Sequence, residues 1–241
     1  RRVRRDIKTN SVSMTFEELQ KNIGVQFKNI DLLKQAFFHR SYLNEAKHIR
    51  VSNERLEFLG DAVLSFLTSE FLYASYPQYP EGTLTNIRSS LVKTTSLSRI
   101  AQTLHLGDLL FLSHGEEDSG GRTNQSLMAD TFEALLGAIY LDSGIEKATQ
   151  FLSIHLFPNA VEIVEKKTYI DYKSLLQEII QEQSRISPIY RVIKSEGPDH
   201  AKIFWMEAVA GNRSLSTGSG KSKQEAEQEA AYNALEKMGR I

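Results

Sequence analysis

Three acidic residues recur at helical spacing in residues 53–64, and together they could carry metal chemistry. At about 100° per residue, Glu54, Glu57 and Asp61 fall within one narrow sector of a helix. The opposite, apolar side is predicted to consist of Leu56, Leu59, Val63, Phe66 and Leu67. This segment alone fits an ordinary amphipathic helix with a solvated acidic face. Two features weigh against that reading: no lysine four residues on relieves the like-charge repulsion, and Phe58 lies off the apolar side.

A second acidic pair, Asp130 and Glu133, lies three residues apart in the otherwise apolar segment 127–140. Residues at this spacing share one face of a helix, and a buried carboxylate is costly unless it is ion-paired or binds a metal. Gly60 and Gly137 each cost about 1 kcal/mol relative to alanine in a helix interior. Close packing of the two helices is a structural reason for both glycines.

Packing of these helices against each other would bring together Glu57, Asp61, Asp130 and Glu133. With no cysteine, and no histidine at ligand spacing, the resulting site would be all oxygen, which suits Mg²⁺ or Mn²⁺ rather than zinc. Clustered carboxylates with such cations favour phosphoryl chemistry, in which the metal activates water and neutralises the leaving oxygen. Spacing alone leaves this reading and an ion-paired structural cluster equally open.

The composition is that of a globular protein, with 41% hydrophobic and 24% charged residues. A chain of 241 residues suits one large domain or two modest ones. The net charge of −1 argues against a uniformly basic nucleic-acid coat, but it allows local basic patches. The absence of cysteine excludes disulfides and catalytic thiols, and we expect a cytoplasmic protein. No apolar run approaches the roughly 20 residues of a membrane-spanning helix, so no membrane partner is expected.

Apolar periodicity predicts an all-α first domain followed by a small α+β domain. The predicted helices of the first domain are Thr15–Gly24, Ile30–Phe37, Asn53–Tyr76, Thr83–Leu104, Gln125–Leu141 and Ile145–Leu156. Glycines among polar residues indicate a mobile loop over Ser113–Gln125. The second domain reads as helix Tyr172–Glu182, strands Ile189–Lys194, Lys202–Ala210 and Arg213–Thr217, and helix Lys221–Met238. We therefore expect a leader or extension at 1–14, domains at 15–161 and 171–241, and a linker at 162–170.

Four blocks of sequence, in the expected order, closely resemble the ribonuclease III family. They are His39-Arg-Ser-Tyr-Leu-Asn-Glu45, Asn53-Glu-Arg-Leu-Glu-Phe-Leu-Gly-Asp61, Pro80-Glu-Gly-Thr-Leu-Thr85 and Ala129-Asp-Thr-Phe-Glu-Ala134. The nine-residue block is highly specific, and the resemblance spans nearly the whole chain from about Thr15. It implies an all-helical endonuclease domain that dimerises and cuts double-stranded RNA with Mg²⁺, for which Mn²⁺ can substitute. It also implies 5′-phosphate and 3′-hydroxyl ends with short 3′ overhangs, and substrates that include ribosomal RNA precursors, messenger RNAs and other structured RNAs.

The same resemblance implies roles for individual residues. The metal-binding carboxylates match Glu57, Asp61, Asp130 and Glu133, of which Asp61 and Glu133 are most directly tied to hydrolysis. Glu54 and Glu81 match acidic positions that assist without being indispensable. Phe58 matches an aromatic knob that inserts into a pocket of the partner subunit, in agreement with its place off the apolar side.

Residues 171–241 resemble a double-stranded RNA-binding domain, which reads the shape of an A-form duplex across two minor grooves. In such a domain Gln177 and Glu178 would face one minor groove, and the loop from Pro198 to His200 the next. Lys221 and Lys223 stand at a helix start, which favours phosphate, and Ser222 with Glu225 fits a capping box. Considered singly, His200 is more often a surface loop histidine than a ligand, and two lysines near a helix start are usually solvated.

Two rival functions remain open at this point. A non-catalytic RNA-binding protein that keeps the fold would be marked by loss of a metal carboxylate, and all four are present. A helical metal-dependent phosphohydrolase of small nucleotides would leave residues 171–241 without a purpose. Comparing hydrolysis of nucleoside phosphates with that of a long RNA duplex separates the second rival from the nuclease.

Overall fold

The computed structural model describes residues 14–46, 49–198 and 201–241. Contacts divide the chain into two units between Tyr169 and Ile170, and each unit has its own hydrophobic core. None of the helices in these described ranges is both long and apolar enough to cross a membrane.

The first unit is built from helices. They are α1 (Phe16–Ile23), α2 (Ile30–Gln35), α3 (Glu54–Ser75), α4 (Glu81–Val92), α5 (Thr94–Thr103), α6 (His114–Asp118), α7 (Gln125–Ser143), α8 (Ile145–His155) and α9 (Pro158–Glu165). Short 3-10 helices lie at Arg40–Asn44, Leu106–Leu109 and Gly121–Thr123. The core forms around α7, whose buried residues lie on almost every side, so this helix is enclosed by the others.

The structure corrects several sequence predictions in this unit. The helix predicted over Thr83–Leu104 is two helices, because Lys93 has an extended backbone (φ −63°, ψ 151°). The loop predicted over Ser113–Gln125 contains α6 and a 3-10 helix. Residues 162–165, expected at the start of the linker, belong to α9. Phe66, predicted on the apolar side of α3, is 59% exposed.

The predicted close packing of α3 and α7 is confirmed at their two interior glycines. A Cβ atom added to Gly60 would lie 1.8 Å from the carbonyl oxygen of Glu133, and one added to Gly137 would lie 2.2 Å from that of Leu56. Real Cβ atoms do not approach backbone so closely, so the two backbones touch where larger residues would hold them apart. This contact brings the acidic face of α3 beside that of α7.

The second unit is an α-β-β-β-α domain, as predicted. Helix α10 (Tyr172–Ser184) is followed by an antiparallel sheet in the order β1-β2-β3 and by helix α11 (Lys223–Lys237). The strands are β1 (Ile189–Glu196), β2 (Ile203–Ala210) and β3 (Arg213–Gly220). Both helices pack on one face of the sheet around Leu176, Ala208 and Leu235. Gly218 lets β3 approach α11, since an added Cβ there would lie 2.2 Å from the Ala230 nitrogen.

We predict that Gly60→Ala destabilises the protein by about 1–3 kcal/mol or more, because the added methyl group forces α3 and α7 apart. Gly82→Ala in α4 is the matched control: its added Cβ has nothing within 4 Å, so it is expected to be neutral or to stabilise by up to about 1 kcal/mol. The free energy of unfolding in urea measures both effects. Equal stability of the two variants would contradict the close helix contact.

Candidate active site and RNA-binding surface

The two acidic helices begin at fixed points, and these set the directions of their carboxylates. α3 starts after Asn53, whose backbone N–H donates to the Phe38 carbonyl oxygen at 2.8 Å. α7 starts after Asn124. The Oδ1 of Asn124 accepts hydrogen bonds from the backbone N–H groups of Ser126 at 2.9 Å and Leu127 at 3.2 Å. These contacts fix the rotation of each helix about its axis, so the acidic faces meet at the Gly60–Gly137 crossing.

Glu133 is the most perturbed carboxyl at this crossing. Burial is the largest cause that raises its pKa to about 8, and the charges of Asp61, Asp130 and Glu57 add to the effect. Glu133 therefore holds its proton at neutral pH unless a cation offsets the surrounding negative charge. All four predicted metal-binding carboxylates take part in this electrostatic coupling.

Glu57 and Asp130 show the same physical pattern. Burial raises the pKa of Glu57, followed by the charges of Asp130, Glu54 and Asp61. Burial also raises the pKa of Asp130, while His39 opposes that shift. Half-buried carboxylates that repel one another are costly to keep ionised.

No arginine or lysine compensates these four acids within the described part of the chain. The salt bridges there include none to Glu57, Asp61, Asp130 or Glu133. An ion-paired structural cluster, the alternative that spacing left open, is therefore not what the fold forms. An all-oxygen donor set with uncompensated charge fits a hard divalent cation.

The four carboxylates are coupled electrostatically, but their side chains are not arranged around a common point. Within residues 14–46, 49–198 and 201–241, no three His, Asp or Glu side chains are arranged to hold a metal ion together. Glu57 and Asp130 instead line an open cleft of about 390 Å³, together with Glu54, His39 and Arg40. Asp61 is exposed at the side of this crossing.

The two accessory acids predicted from the sequence occupy different places. Glu54 lies at the cleft, where its carboxylate accepts a hydrogen bond from Ser52 Oγ at 2.7 Å and pairs with Arg40 at 3.8 Å. Glu81 is the first residue of α4 and accepts a hydrogen bond from Thr85 Oγ1 at 3.0 Å. It lines a separate cavity of about 720 Å³ between α3 and α4, so within one chain it is not part of the carboxylate cluster.

Phe58 projects from α3 into solvent, with 82% of its surface exposed. Phe66 and Tyr73, on the same helix, are 59% and 77% exposed. At about 100° per residue these three positions lie within roughly 80° of one another. They form an unpartnered aromatic face on α3, a larger exposed apolar surface than a scattered single residue would make.

His39 and Arg40 belong to a sequence block whose chemistry was not assigned from the sequence. The structure places both at the cleft beside Glu57 and Asp130. Their position in the ribonuclease III-like block His39–Glu45, next to the acidic block, was the signal that could have pointed to them.

The predicted RNA-contacting residues of the second unit lie on its surface. Gln177 and Glu178 are exposed on α10, and Pro198 is exposed after β1. His200 lies outside the described residues. Lys221, Ser222 and Lys223 are exposed at the start of α11.

The predicted capping box at α11 forms only in part. Ser222 Oγ accepts a hydrogen bond from the Glu225 backbone N–H at 3.1 Å, as expected. The Glu225 carboxylate reaches past the cap residue and accepts from the Lys221 backbone N–H at 2.8 Å. The backbone of Lys221 is therefore fixed beside the helix start, while its side chain stays in solvent.

One acid in α11 is engaged inside the domain. Glu227 pairs with Lys173 of α10, and Lys173 also lies 5.1 Å from the centre of the Tyr190 ring. Gln228 accepts from the Tyr172 backbone N–H at 2.9 Å. These contacts hold α10 against α11, so the exposed residues of the two helices keep a fixed spacing.

Comparisons with known proteins agree with this architecture. A model of the ribonuclease-III-like family matches residues 29–160, and a model of the double-stranded RNA binding motif matches residues 172–238. The chain is 45% identical over 221 residues to Ribonuclease 3 of Borreliella burgdorferi, covering 91% of this chain and 90% of that protein. It is 46% identical over 223 residues to Ribonuclease 3 of Dehalococcoides mccartyi, covering 92% and 94%.

The nuclease unit also resembles solved structures. A ribonuclease III nuclease domain from Campylobacter jejuni, described as flexible in a region involved in dimer formation, is 37% identical. It superposes with a TM-score of 0.56 and covers 60% of this chain and 99% of its own. The chain therefore belongs to the ribonuclease III family of endoribonucleases and carries a double-stranded RNA-binding domain after its nuclease domain.

Proposed function

We propose that this chain is a Mg²⁺-dependent endonuclease that cuts both strands of an RNA duplex. The observation that carries the proposal is the uncompensated carboxylate cluster at the Gly60–Gly137 crossing. Products with 5′-phosphate and 3′-hydroxyl ends and short 3′ overhangs follow from the family resemblance. On the same basis, the substrates are precursors of ribosomal RNA, messenger RNAs and other structured RNAs in the cytoplasm.

The proposed metal ligands are Glu57, Asp61, Asp130 and Glu133. A bound divalent cation supplies charge neutralisation and activation of water for in-line attack on a phosphodiester, and Mn²⁺ can replace Mg²⁺ in this role. The chain's own contribution is to hold four acidic oxygen donors at one crossing, where burial disfavours the charge of Glu57, Asp130 and Glu133. A bound cation would favour the ionised form of Glu133, because its charge would offset the burial and the like charges that raise the pKa of this carboxyl. Asp61 and Glu133, one from each helix, are the pair we assign most directly to hydrolysis.

The second unit supplies recognition of the duplex. An RNA-binding domain of this fold spans two minor grooves and the phosphates between them. We assign Gln177 and Glu178 to one groove and the loop from Pro198 to His200 to the other. Lys221, Ser222 and Lys223 are assigned to the intervening phosphates, because free backbone N–H groups and the dipole of α11 favour anions there.

We further propose a homodimer in which Phe58 enters the cavity between α3 and α4 of a second copy. An antiparallel, two-fold pairing of α3 with its copy would place Phe58 opposite Tyr73, which lines that cavity, and Phe66 near the axis. The cavity walls are largely apolar and aromatic: Leu72, Tyr73, Tyr76, Pro77, Tyr79 and Leu84. Glu81 lines the same cavity, so the pairing brings this accessory acid to the interface. Two active sites in one dimer account for a staggered cut.

The nuclease proposal predicts that Glu133→Gln abolishes cleavage of an end-labelled RNA duplex in Mg²⁺, by roughly a thousandfold or more, while binding is retained. Gln keeps the size of the side chain but removes an anionic ligand. Glu70→Gln, an exposed acid elsewhere on α3, is the matched control and is expected to cleave normally. Binding without cleavage by the unmodified chain would favour the non-catalytic reading. Hydrolysis of nucleoside phosphates but not of the duplex would favour the phosphohydrolase.

The raised pKa of Glu133 predicts how the metal-free protein responds to pH. The folded state holds the proton up to about pH 8, whereas the unfolded state loses it near the ordinary value of about 4.3. Stability from this group is therefore fully present below the unfolded-state pKa and is lost as pH rises through the folded-state pKa. Melting in EDTA should show a decline between pH 5 and 8.5 that is shallower in Glu133→Gln. Mg²⁺ should raise the melting temperature of the native chain more at pH 8 than at pH 6.

Parallel melting curves for the native chain and Glu133→Gln would show that Glu133 does not titrate in this range. Equal stabilisation of both proteins by Mg²⁺ would show that the cation binds elsewhere.

The dimer proposal predicts that Phe58→Ala weakens self-association by roughly thirtyfold or more, the effect of losing a central aromatic anchor. Ile154→Ala, at a 53% exposed apolar position on α8, is the matched control. Sedimentation equilibrium over a range of concentrations measures both. Unchanged association of Phe58→Ala, with loss in the control, would place the interface on another surface.

A further inference from the structure

His39 is held in place by its backbone from two sides. It lies between α2 and the 3-10 helix Arg40–Asn44, and its N–H donates to the Phe111 carbonyl oxygen at 3.2 Å. The preceding residue, Phe38, forms an isolated bridge with Phe111 and accepts the hydrogen bond from Asn53 that begins α3. The imidazole therefore stands at a fixed point beside the first turn of the acidic helix.

A hydrogen-bonded chain orients the His39 ring. Its Nδ1 accepts from the Ser41 backbone N–H at 3.3 Å and lies 2.8 Å from Ser41 Oγ. Ser41 Oγ in turn accepts from the Ser113 backbone N–H at 3.0 Å, which leaves its own hydrogen free to point at Nδ1. With its lone pair on Nδ1 engaged in this way, the neutral ring carries its hydrogen on Nε2, as assigned from the hydrogen-bond network.

The other ring nitrogen, Nε2, has no hydrogen-bond partner within residues 14–46, 49–198 and 201–241. His39 is half-buried and lines the 390 Å³ cleft together with Glu57 and Asp130. Nε2 is accessible from solvent at this cleft, so its N–H can donate to a group that binds there. Arg40, another donor that lines this cleft, forms an exposed ion pair with Glu54 at 3.8 Å.

We propose that His39 is a substrate-binding residue, whose Nε2–H donates to a non-bridging phosphate oxygen of the RNA strand beside the scissile bond. The inference rests on the proposed nuclease function. Phosphate is the acceptor that an RNA strand brings into a cleft lined by acids, and its approach is opposed by their charge. An N–H donor directed at the phosphate offsets that repulsion at the contacted oxygen, and the carboxylates remain available to a cation.

Two conservative variants, His39→Asn and His39→Gln, separate contact with RNA from a purely structural role. In His39→Asn, the amide can replace Nδ1 as the acceptor for Ser41 but cannot reach the position of Nε2. In His39→Gln, the amide reaches the Nε2 position with a donor but gives up the contact with Ser41. His105→Asn is the matched control, since His105 is exposed in a left-handed backbone conformation (φ 54°) that Asn tolerates.

The measurement is the single-turnover cleavage rate of an end-labelled RNA duplex at saturating protein in Mg²⁺, with the dissociation constant measured separately without metal. We expect His39→Asn to slow cleavage by roughly ten- to a hundredfold, the scale of losing one hydrogen bond to a charged group. Its affinity for RNA should change less than about threefold, because many backbone contacts share the binding. His39→Gln should recover most of the rate, and His105→Asn should match the native chain.

The reverse order, with His39→Asn near the native rate and His39→Gln slow, would overturn the proposal and assign His39 to the support of Ser41. If His39→Gln has a lowered melting temperature, a second measurement uses RNA duplexes with a single phosphorothioate at the scissile linkage. Their cleavage rates are compared between the native chain and His39→Asn. Sulfur in place of the contacted oxygen slows the native chain more than the variant if His39 binds there, and equally if it does not. Failure of the native chain to cut at all would refute the proposed nuclease function instead.

Discussion

The close approach of α3 and α7 is the constraint on which the candidate active site depends. Gly60 and Gly137 let the two backbones touch, and a single methyl group at either position would collide with a carbonyl group. Carboxylates from two helices far apart in sequence consequently lie close enough to raise one another's pKa. The penalty that each glycine imposes on its own helix is offset by the packing it permits.

Burial and like charge at this crossing destabilise the ionised carboxylates, and no salt bridge within the described part of the chain offsets that cost. The pKa of Glu133 rises to about 8, and those of Glu57 and Asp130 rise as well, in each case chiefly through burial. A stabilising salt bridge would relieve this cost permanently and leave no role for a cation. The fold instead leaves the acids uncompensated, which is the electrostatic state expected of a site that binds and releases a divalent ion.

Arg122 holds the segment that contains Leu110, one of the residues lining the cleft. Its guanidinium donates to the carbonyl oxygens of Gly107 and Leu110, each at 2.9 Å, and to Glu117 at 2.7 Å. These bonds order the segment that leads into α6, and Ser113 at the cap of α6 then holds Ser41. Two polar contacts, Ser113 to Ser41 and Ser41 to His39, thus connect the start of α6 with the imidazole ring.

The sequence by itself determined the residue types and their local spacing. Helical periodicity was enough to place Glu54, Glu57 and Asp61 on one face of a helix, to mark Gly60 and Gly137 as packing positions, and to set Phe58 apart from the core. It also separated the α-helical region from the α-β-β-β-α region, because the period of apolar residues changes from about 3.6 to 2. These properties depend on neighbours within one or two turns.

Only the tertiary structure decided what depends on contacts between distant segments. The break at Lys93 carries no proline or glycine signal, and the apolar period runs through it because both α4 and α5 face the same core. The exposure of Phe66 depends on which helices surround α3, and the orientation of His39 depends on Ser113, which is 72 residues removed from Ser41. The raised pKa of Glu133 likewise requires two helices and their burial at once. Local spacing cannot report such properties, because they arise from the burial and charge that neighbouring elements impose.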